Sequence, residues 1–560
     1  MRRFFRVLLR IAIIAALVLA IGVLIFKLAT RLEEPTVENR FDSKVRKRSL
    51  GEDFYVFEDS WLKKNREGLW EMYLSGDAFE MGYKNGLLTD SLNALQELYF
   101  IETIREIIPS DRYLNFLKHF LAWYNRSLDR YIPAEYREEI YGVSRFASDD
   151  FKVIGDGYAR ALNYHAAHDI GHALQNMNLV ACTAFMVNDS LSEDGSMIIG
   201  RNMDFSMGDD FASNKIVVFQ RPDKGHNFAY ISWAGMIGVV SGMNDQGLVV
   251  TLNAAKSDIP LSAKTPVSIL ARQVLQYASN IDEAYAIIEG AEVFVAESFL
   301  IGSAHDGKTV VIEKSIDQCA VYDSNSDQLI LTNHYQSEEL GGHKLNLEAI
   351  EDGSSPYRLQ RTKQLIERQA KHNYESVAAI LRDRRGMDDA DIGMGNEKAV
   401  NQFIAHHSVI FKPEKGEMWV SANPYQLGSY LCYNLNDIFA EDFDFSGVVD
   451  DTTQTIAADP FLLSDDYRAF VSHKEWTARF KKLLWDESPE AIKAEDIELY
   501  ERLNPEFFYS YFIIGECWSL KGDSERALTY YEKALGKEIA RLSERRMIEG
   551  RIESLKEKAR

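Results

Sequence analysis

The sequence predicts an α+β fold in which antiparallel sheets lie between layers of helices. Residues 54–181 are predicted to be mostly helical, because the runs 92–108 and 113–131 place apolar residues three and four positions apart, a spacing that is typical of helices. Between residue 182 and about residue 433, short β-rich runs alternate with turn residues, which predicts strands. The pattern turns helical again after about residue 451.

The N-terminal segment predicts a membrane anchor. Residues 11–26 are apolar, and the run approaches the thickness of a bilayer if Arg10 and Lys27 extend their charged ends to the interface. Basic residues ahead of the run predict a cytoplasmic N-terminus and a body on the extracytoplasmic side, either periplasmic or at the cell surface. A cleaved signal peptide is the alternative, with L-A-T at 28–30 as its candidate cleavage site.

These patterns divide the chain of 560 residues into four parts. We expect a signal anchor in 1–32, a charged linker followed by helices in 33–181, a strand-rich domain in 182–450 and a helical region in 451–560.

The C-terminal helical region contains one repeat-like unit. Gly515, Ala527 and Ala534 stand where a tetratricopeptide helix pair needs small residues. Only one unit is recognisable, and arrays of this kind normally need three or more. We therefore expect a tetratricopeptide-like helical cap on the strand-rich domain, and a surface for protein contacts is the alternative.

Charge and cysteine content exclude two classes of protein. The formal net charge of −22 argues against a nucleic-acid-binding protein, which needs a basic face. Four cysteines far apart in the chain do not form a disulfide scaffold, so each is first interpreted as a small buried hydrophobic residue. Only Cys182 has neighbours that challenge this interpretation.

Cys182 lies in A-C-T at 181–183, and G-R-N-M-D follows at 200–204. Two strands joined by the turn S-E-D-G-S would place Arg201 and Asp204 beside the thiol. A thiol becomes a useful nucleophile when a base or a cation lies within hydrogen-bond distance. Arg201 can stabilise a thiolate, and Asp204 can hold an ammonium group or orient a proton carrier. Because arginine–aspartate pairs usually serve structure, these residues alone leave the catalytic interpretation open.

Several motifs in a fixed order resemble those of the cysteine N-terminal-nucleophile (Ntn) hydrolases. They are C-T-x-F at 182–185, G-R-N-M-D at 200–204, G-M-N-D-Q-G-L at 242–248, L-T-N-H at 331–334, S-S-P-Y-R at 354–358 and H-S-V-I-F…M-W-V-S at 407–421. With the glycine-rich stretch containing Gly76, Glu80, Gly82 and Gly86, the resemblance covers roughly residues 70–440. The sequence is most similar to the acyl-CoA:6-aminopenicillanic-acid acyltransferase-like family (peptidase family C45). Choloylglycine hydrolase, penicillin V acylase and acid ceramidase are related to that family.

The resemblance implies an αββα sandwich and a nucleophile that must become the first residue of its chain. The Ala181–Cys182 bond would therefore break by autoproteolysis, through an N-to-S shift and hydrolysis of the resulting thioester. The new α-amino group, with a pKa near 8, would then accept the thiol proton. Residues 33–181 would form a linker and a helical pro-segment that stays bound.

The resemblance also assigns roles to individual residues. Arg201 and Asp204 would position the thiol and the amine, and Asn333 would donate its side-chain amide to the oxyanion, a contribution of roughly 3 kcal/mol to the barrier. Asn253 would be a second donor or a substrate contact. Arg358 would be the second arginine near the nucleophile, with Arg361 as the rival for that position.

The implied activity is that of a cysteine amidase or acyltransferase. Its substrate would be a linear carbon–nitrogen amide of a small N-acyl compound, and the reaction would need no cofactor. Two alternatives remain. One is a catalytically inactive surface protein of the same fold, with the tetratricopeptide-like region as its interaction surface. The other is a metal-dependent hydrolase that uses His165, His168 and His172, which share one helical face.

Overall fold

The computed structural model describes residues 2–38, 40–41, 45–108, 110–167, 169, 180–256, 260 and 262–558. The strands are β1 (Arg48–Gly51), β2 (Phe54–Phe57), β3 (Ser60–Lys64), β4 (Trp70–Gly76), β5 (Val180–Val187), β6 (Ile198–Phe205), β7 (Ile216–Pro222), β8 (Phe228–Ser232), β9 (Ser241–Asn244), β10 (Leu248–Ala254), β11 (Glu297–Ser303), β12 (Lys308–Lys314), β13 (Cys319–Tyr322), β14 (Gln328–Leu331), β15 (Ala405–Lys412), β16 (Glu417–Ser421), β17 (Tyr430–Asn434) and β18 (Asp451–Ile456).

The helices are α1 (Arg2–Ala29), α2 (Ala78–Leu88), α3 (Asp90–Ile107), α4 (Asp111–Tyr124), α5 (Leu128–Tyr131), α6 (Ala134–Ser144), α7 (Gly157–His165), α8 (Asp209–Ser213), α9 (Val267–Tyr277), α10 (Ile281–Gly290), α11 (Lys344–Asp352), α12 (Ser355–Ile366), α13 (Tyr374–Leu381), α14 (Leu435–Ile438), α15 (Asp465–Trp485), α16 (Ala494–Leu503), α17 (Phe508–Leu520), α18 (Ser524–Leu535) and α19 (Leu542–Lys558).

The strands form two sheets. The larger sheet has the order β1-β2-β3-β4-β7-β8-β9-β10-β11-β12-β13, and the smaller has the order β14-β5-β6-β15-β16-β17-β18. The predicted α+β class is confirmed. Among the described strands the pairing is antiparallel except for β4 and β7, which run parallel, so the larger sheet is mixed rather than purely antiparallel as predicted.

The two sheets pack face to face and each is covered by helices on its outer face. Apolar side chains from both sheets, among them Met186, Ile199, Phe219 and Val249, form one core between them. Helices α9 and α10 pack on the outer face of the larger sheet. Helices α12 and α13 cover the smaller sheet, and α13 lies so close to β6 that its Val377 leaves no space for a side chain at Gly200. The order of layers is therefore helix, sheet, sheet, helix.

The prediction of a mostly helical segment over 54–181 is wrong for its first part. Strands β1 to β4 extend the larger sheet, and β4 joins it through seven backbone pairs with β7. This part of the sequence consists of short aromatic-rich runs between turns, among them F-Y-V-F, S-W-L-K-K and W-E-M-Y-L-S-G. Burial of Trp61 and Leu62 against the sheet outweighs any local helical spacing of the apolar residues. Helices follow from residue 78 onward. Strand β18, in the region predicted to be helical, pairs with β17.

Helix α1 is long and apolar enough to cross a membrane, as judged by length and composition. The chain that leaves it, which begins the predicted charged linker, makes contacts with the body. Leu32 packs against the main core, and the Glu33 backbone N–H donates to Asp129 at 3.1 Å. Phe41 stacks on Tyr83 with ring centroids 4.3 Å apart.

The C-terminal helices contact the strand-rich domain. Arg541 forms an ion pair with Glu397 at 2.6 Å, and the Ser543 backbone N–H donates to Asp352 at 2.6 Å. Helices α17 and α18 pack as a pair in which Gly515 lies against the Tyr531 ring, where a Cβ atom would come within 2.5 Å of that ring. These contacts are compatible with a cap, and the tetratricopeptide-like interpretation stays a prediction.

The glycine-rich stretch at 76–86 has a packing role. A Cβ atom at Gly82 of α2 would lie 1.9 Å from the Glu139 carbonyl oxygen of α6, and one at Gly142 would lie 2.5 Å from the Tyr83 nitrogen. The two helix backbones therefore touch directly, and glycine is required on both sides of the contact. Glu80 closes a capping box with Asp77 at the start of α2.

Replacing Gly82 with alanine should lower the melting temperature of the protein, because the two helices must separate. Overpacking of this kind costs about 1–3 kcal/mol, and contact with backbone places the expected loss at the upper end. Gly550→Ala is the matched control, since Gly550 is also helical but a Cβ atom added there would have no heavy atom within 4 Å. Thermal denaturation followed by circular dichroism in detergent should separate the two variants, and equal melting temperatures would contradict the proposed role of Gly82.

Candidate active site

Cys182 is the third residue of β5, which is the second strand of the smaller sheet. Strand β5 pairs with β6 on one side and with β14 on the other. Ala181 lies opposite Asp204, and Cys182 lies opposite Met203. The cysteine is 1% exposed. The Ala181–Cys182 bond is therefore held within a paired strand of the uncleaved chain.

Three side chains bind three different atoms of Cys182. Arg201 Nη2 donates to Sγ at 3.3 Å, and Asn333 Oδ1 accepts from the backbone N–H at 2.9 Å. Arg358 Nη1 donates to the carbonyl oxygen at 2.5 Å, and its Nη2 donates to Asn333 Oδ1 at 2.7 Å. All three were predicted from the sequence as site residues, and the fold brings them together around Cys182.

Arg358 and its rival Arg361 are one turn apart on α12 but have different partners. Arg361 donates to both oxygens of Asp383, at 2.9 and 2.8 Å, and to Asp389 at 2.8 Å. Arg358 points to β5 and also binds Thr183 Oγ1 at 2.9 Å. The geometry therefore favours Arg358 as the second arginine beside Cys182.

Asn253 connects the two sheets through hydrogen bonds, and those bonds do not involve Cys182. Its Nδ2 donates to the carbonyl oxygens of Leu331 and Thr332, at 3.2 and 3.0 Å. The neighbouring Ala254 carbonyl accepts from Asn333 Nδ2 at 2.9 Å, and the Leu252 carbonyl accepts from Arg201 Nη2 at 2.6 Å. Leu252 and Ala254 of β10 thus hold the two side chains that bind Sγ and N of Cys182, and Asn253 between them holds the backbone just before Asn333.

Asp204 lies on the same strand as Arg201, and its carboxyl group forms no hydrogen bond with Cys182 in the described part of the chain. Oδ2 accepts from Gln402 at 3.3 Å, and Oδ1 has no hydrogen-bond partner in the described part of the chain. Burial raises the pKa of Asp204 to about 7, although Arg358 and Arg201 lower it. A carboxyl group that titrates near neutrality fits a site that handles protons.

The Cys182 thiol is neutral in the uncleaved chain because burial raises its pKa. Arg201 is the main group that opposes this effect by favouring the thiolate, whereas Asp204 and Glu297 disfavour it. The site therefore contains a cation for a thiolate, but the thiol still needs a base that can take its proton.

Residues 190–424 match the family of acyl-coenzyme A:6-aminopenicillanic acid acyl-transferase. The family inferred from the motifs is confirmed over this segment. The match begins after Cys182 and includes Arg201, Asp204, Asn253, Asn333 and Arg358.

Individual relatives share about half of the chain. An uncharacterized protein of Archaeoglobus fulgidus is 29% identical over 273 residues, which cover 45% of this chain and 45% of that protein. The N-acylethanolamine-hydrolyzing acid amidase of Caenorhabditis elegans is 26% identical over 254 residues, covering 43% of this chain and 67% of that protein. The chain spans about half the length of the first of these relatives and two thirds of the second.

Two solved structures show a weaker similarity. The Caenorhabditis elegans N-acylethanolamine-hydrolyzing acid amidase ortholog has a TM-score of 0.30 at 20% identity, covering 42% of this chain and 93% of that chain. A mutant of the conjugated bile acid hydrolase from Clostridium perfringens has a TM-score of 0.31 at 15% identity, covering 46% of this chain and 92% of that chain.

Two contacts of Arg201 in this acyltransferase-like segment were not predicted from the sequence. Arg201 Nη1 donates to Ser241 Oγ at 2.5 Å and lies 3.2 Å from His407 Nε2. An arginine can only donate, so His407 Nε2 accepts and its proton resides on Nδ1, which lies 2.9 Å from His406 Nδ1. The local pattern marks His407 only as a residue at the start of a strand, although the motif H-S-V-I-F begins with it.

The metal-binding alternative finds no support among the described residues. Both ring nitrogens of His165 are occupied, since Nδ1 lies 2.7 Å from the Ala161 carbonyl and Nε2 accepts from the Ile237 N–H at 3.0 Å. His168 and His172 lie outside the described residues. Within the described ranges, no three His, Cys, Asp or Glu side chains form a group that could hold a metal ion.

A largely apolar cavity lies between the N-terminal helices and the strand-rich domain. Its walls include Phe100, Ala161 and Tyr164 from α3 and α7, and Phe205, Phe211 and Trp233 from the opposite side. Phe205 ends the strand that carries Arg201 and Asp204, and it shares one apolar core with Cys182. Glu97 and Arg160, 2.8 Å apart, place one ion pair in the wall.

Replacing Asp204 with asparagine should change how stability depends on pH. The folded-state pKa of Asp204 is about 7 and exceeds the unfolded value, so its contribution to stability is full at low pH and is lost as the pH rises through 7. The comparison is made in a Cys182→Ala background, which keeps the chain intact. As the pH rises from about 5 to about 8, the melting temperature of the Asp204→Asn variant should increase relative to that of the parent with Asp204. All other titrating groups cancel in this comparison, and a constant difference would contradict the raised pKa.

Proposed function

We propose that this chain is an autoproteolytically activated cysteine amidase or acyltransferase of the Ntn type. The observation that carries the proposal is the convergence of Arg201, Asn333 and Arg358 on the Sγ, N and O atoms of Cys182. These three side chains bind both the backbone nitrogen and the thiol of Cys182. They would serve catalysis once Cys182 is the first residue of its chain and its nitrogen is a free amine. The match to an acyltransferase family supports the same reaction class.

Self-cleavage would begin with attack of Cys182 Sγ on the Ala181 carbonyl carbon. The C–N bond to Cys182 breaks, the thiol proton passes to the leaving nitrogen, and the Ala181 acyl group is left on sulfur as a thioester. Water then hydrolyses the thioester, giving an Ala181 carboxylate, a free thiol and a free α-amino group. The products are residues 1–181 and 182–560.

In the mature site, the α-amino group of Cys182 would act as the missing base. It takes the thiol proton as Sγ attacks the substrate carbonyl, and it returns a proton to the leaving amine. Arg201 stabilises the thiolate, and Asn333 Oδ1 holds the amine where it now holds the backbone N–H. The acyl thioester is then resolved by water in an amidase or by a second amine in an acyltransferase.

The oxyanion role inferred for Asn333 needs one rearrangement. Asn333 Nδ2 donates to the Ala254 carbonyl in the uncleaved chain, so it reaches an oxyanion only after that bond opens. Asp204 would respond to the new positive charge at position 182, since an ammonium group nearby favours the ionised carboxylate. Asn253 is proposed to act through Asn333, by fixing the strand end that carries it.

The substrate would be a linear N-acyl amide whose acyl chain enters the apolar cavity. The cavity walls and their connection to Cys182 through one apolar core support an acyl group of low polarity. The similarity to an N-acylethanolamine-hydrolyzing acid amidase points in the same direction. With α1 as a signal anchor, the reaction would take place at the extracytoplasmic face of the membrane.

Cys182→Ala should remain a single chain, whereas the unaltered protein should yield two fragments on a denaturing gel. N-terminal sequencing of the larger fragment should begin at Cys182, and a thiol-directed N-acyl amide probe should label that residue only after cleavage. Cys432→Ala is the matched control, because Cys432 is equally buried and lies in the same sheet, on β17. An uncut chain that turns over N-acyl amides with or without Cys182 would refute the proposal.

His407 should act as a positioning residue for Arg201, with its effect visible in the rate of self-cleavage. His407→Leu removes the acceptor beside Arg201 Nη1 and should slow cleavage at least tenfold, since about 1.4 kcal/mol in the barrier is enough for that factor. His407→Gln keeps an acceptor near the position of Nε2 and should restore most of the rate. Equal rates in the two variants, with melting temperatures alike, would contradict this role.

A further inference from the structure

The exposed aromatic residues outside α1 are concentrated on one face of α4. Tyr113, Phe116, Phe120 and Trp123 are spaced three, four and three residues apart, so they share one side of the helix. Their exposed fractions range from 45% to 61%. Among the described residues outside α1, Trp485 is the only other Phe, Tyr or Trp whose side chain is exposed. An apolar face of this kind marks an interaction surface.

Neighbouring segments enlarge this surface. Val153 and Ile154, in the loop before α7, are also exposed, and Lys118 of α4 donates to the Val153 carbonyl. Ile107 ends α3 directly before α4 and is exposed as well. We call the residues Ile107, Tyr113, Phe116, Phe120, Trp123, Val153 and Ile154 the α4 face.

The α4 face lies beside the end of the candidate membrane helix. Phe26 of α1 stacks on Trp123 with ring centroids 6.2 Å apart and meets His119 edge-on at 6.0 Å. Lys27 follows Phe26, and a lysine at the end of an apolar helix extends its amine to the level of the lipid headgroups. With α1 spanning a bilayer, Trp123 would lie at the membrane interface, the depth at which tryptophan and tyrosine are enriched.

The position of α4 relative to α1 is fixed by short-range contacts. Only three residues separate the end of α1 from Glu33, whose backbone binds Asp129 just beyond α4. Leu32 is partly buried and packs against the main core. A body attached so closely cannot hold its α4 face far from the bilayer that α1 would span.

The charge around α4 also suits a lipid surface. Residues 111–126 contain Arg112, Lys118 and Arg126 against the single acid Asp111, in a chain whose net charge is −22. The Arg126 guanidinium lies over the Trp123 ring at 4.5 Å. Basic groups flanking an aromatic face are typical of helices that lie in the membrane interface and favour anionic lipids.

We propose that the α4 face inserts into the headgroup region of the bilayer that holds α1. The protein would then touch the membrane at two places, through a spanning helix and through an interfacial helix beside it. This proposal is independent of the chemistry at Cys182, because it concerns only α1, α4 and the loop before α7.

The test uses the full chain with one fluorescent label at a time, reconstituted in phosphatidylcholine and phosphatidylglycerol vesicles. A Cys182→Ala, Cys319→Ser background removes the thiol that would react after cleavage and the native cysteine that is not fully buried. An environment-sensitive maleimide dye is attached at Phe116→Cys, and lipids with a quencher near the headgroup report contact. The matched controls are Asn115→Cys, exposed on another side of α4, and Leu463→Cys, 81% exposed in the C-terminal region.

We expect the label at position 116 to be quenched by the lipid at least threefold more than the label at 115, and the label at 463 to be unaffected. Quenching at 116 no stronger than at 463 would overturn the proposal. So would a label at 116 that is shielded from water but not quenched by lipid, since a second copy or another protein would then cover the face. Unchanged melting temperatures show that each labelled chain is folded.

Discussion

Two buried guanidinium groups, one on each face of β5, hold the centre of this molecule together. Arg201 lies between the sheets and binds Cys182 Sγ, Ser241 and the Leu252 carbonyl. Arg358 lies under the helix layer and binds the Cys182 carbonyl, Thr183 and Asn333. Burying a cation is costly unless acceptors compensate it, and both terminal nitrogens of each guanidinium are paired, although the two Nε atoms have no acceptor in the described part of the chain. The strands and helices that supply the acceptors must therefore assemble in one register. The geometry around the thiol is a consequence of that requirement.

This requirement explains which site residues the sequence could predict. Cys182, Arg201 and Asp204 lie on adjacent strands of a hairpin, so a motif and a turn were enough to bring them together. Arg358 and Arg361 could not be told apart, because the choice depends on where α12 meets β5 and where Asp383 lies. Ser241 and His407 come from different sheets, and their meeting at Arg201 depends on the packing of one sheet on the other. Asn253 lies near the site, but its contacts run to the backbone at the end of β14.

The fold was predicted where the pattern was long and repetitive. The helices after residue 78 and the strands after residue 182 follow their expected periods. Strands β1 to β4 were missed because each is only four to seven residues long, and short aromatic runs fit a helix or a strand equally well. Only pairing with the larger sheet decides between a helix and a strand, and the partner strand β7 lies 146 residues after β4 in the chain.

Residues before Cys182 are an integral part of the fold. This determines how cleavage of the Ala181–Cys182 bond would affect the structure. Strand β4 is bonded to β7 over seven residue pairs, and the cores contain side chains from both sides of position 182. Breaking one peptide bond removes none of these contacts, so two fragments would stay associated as one folded unit. The apolar cavity has walls from both sides of position 182, with α3 and α7 on one side and Phe205, Phe211 and Trp233 on the other. After cleavage the first fragment would still supply one wall of the cavity. Because the same fragment carries α1 and the α4 face, it would also hold the site at the membrane.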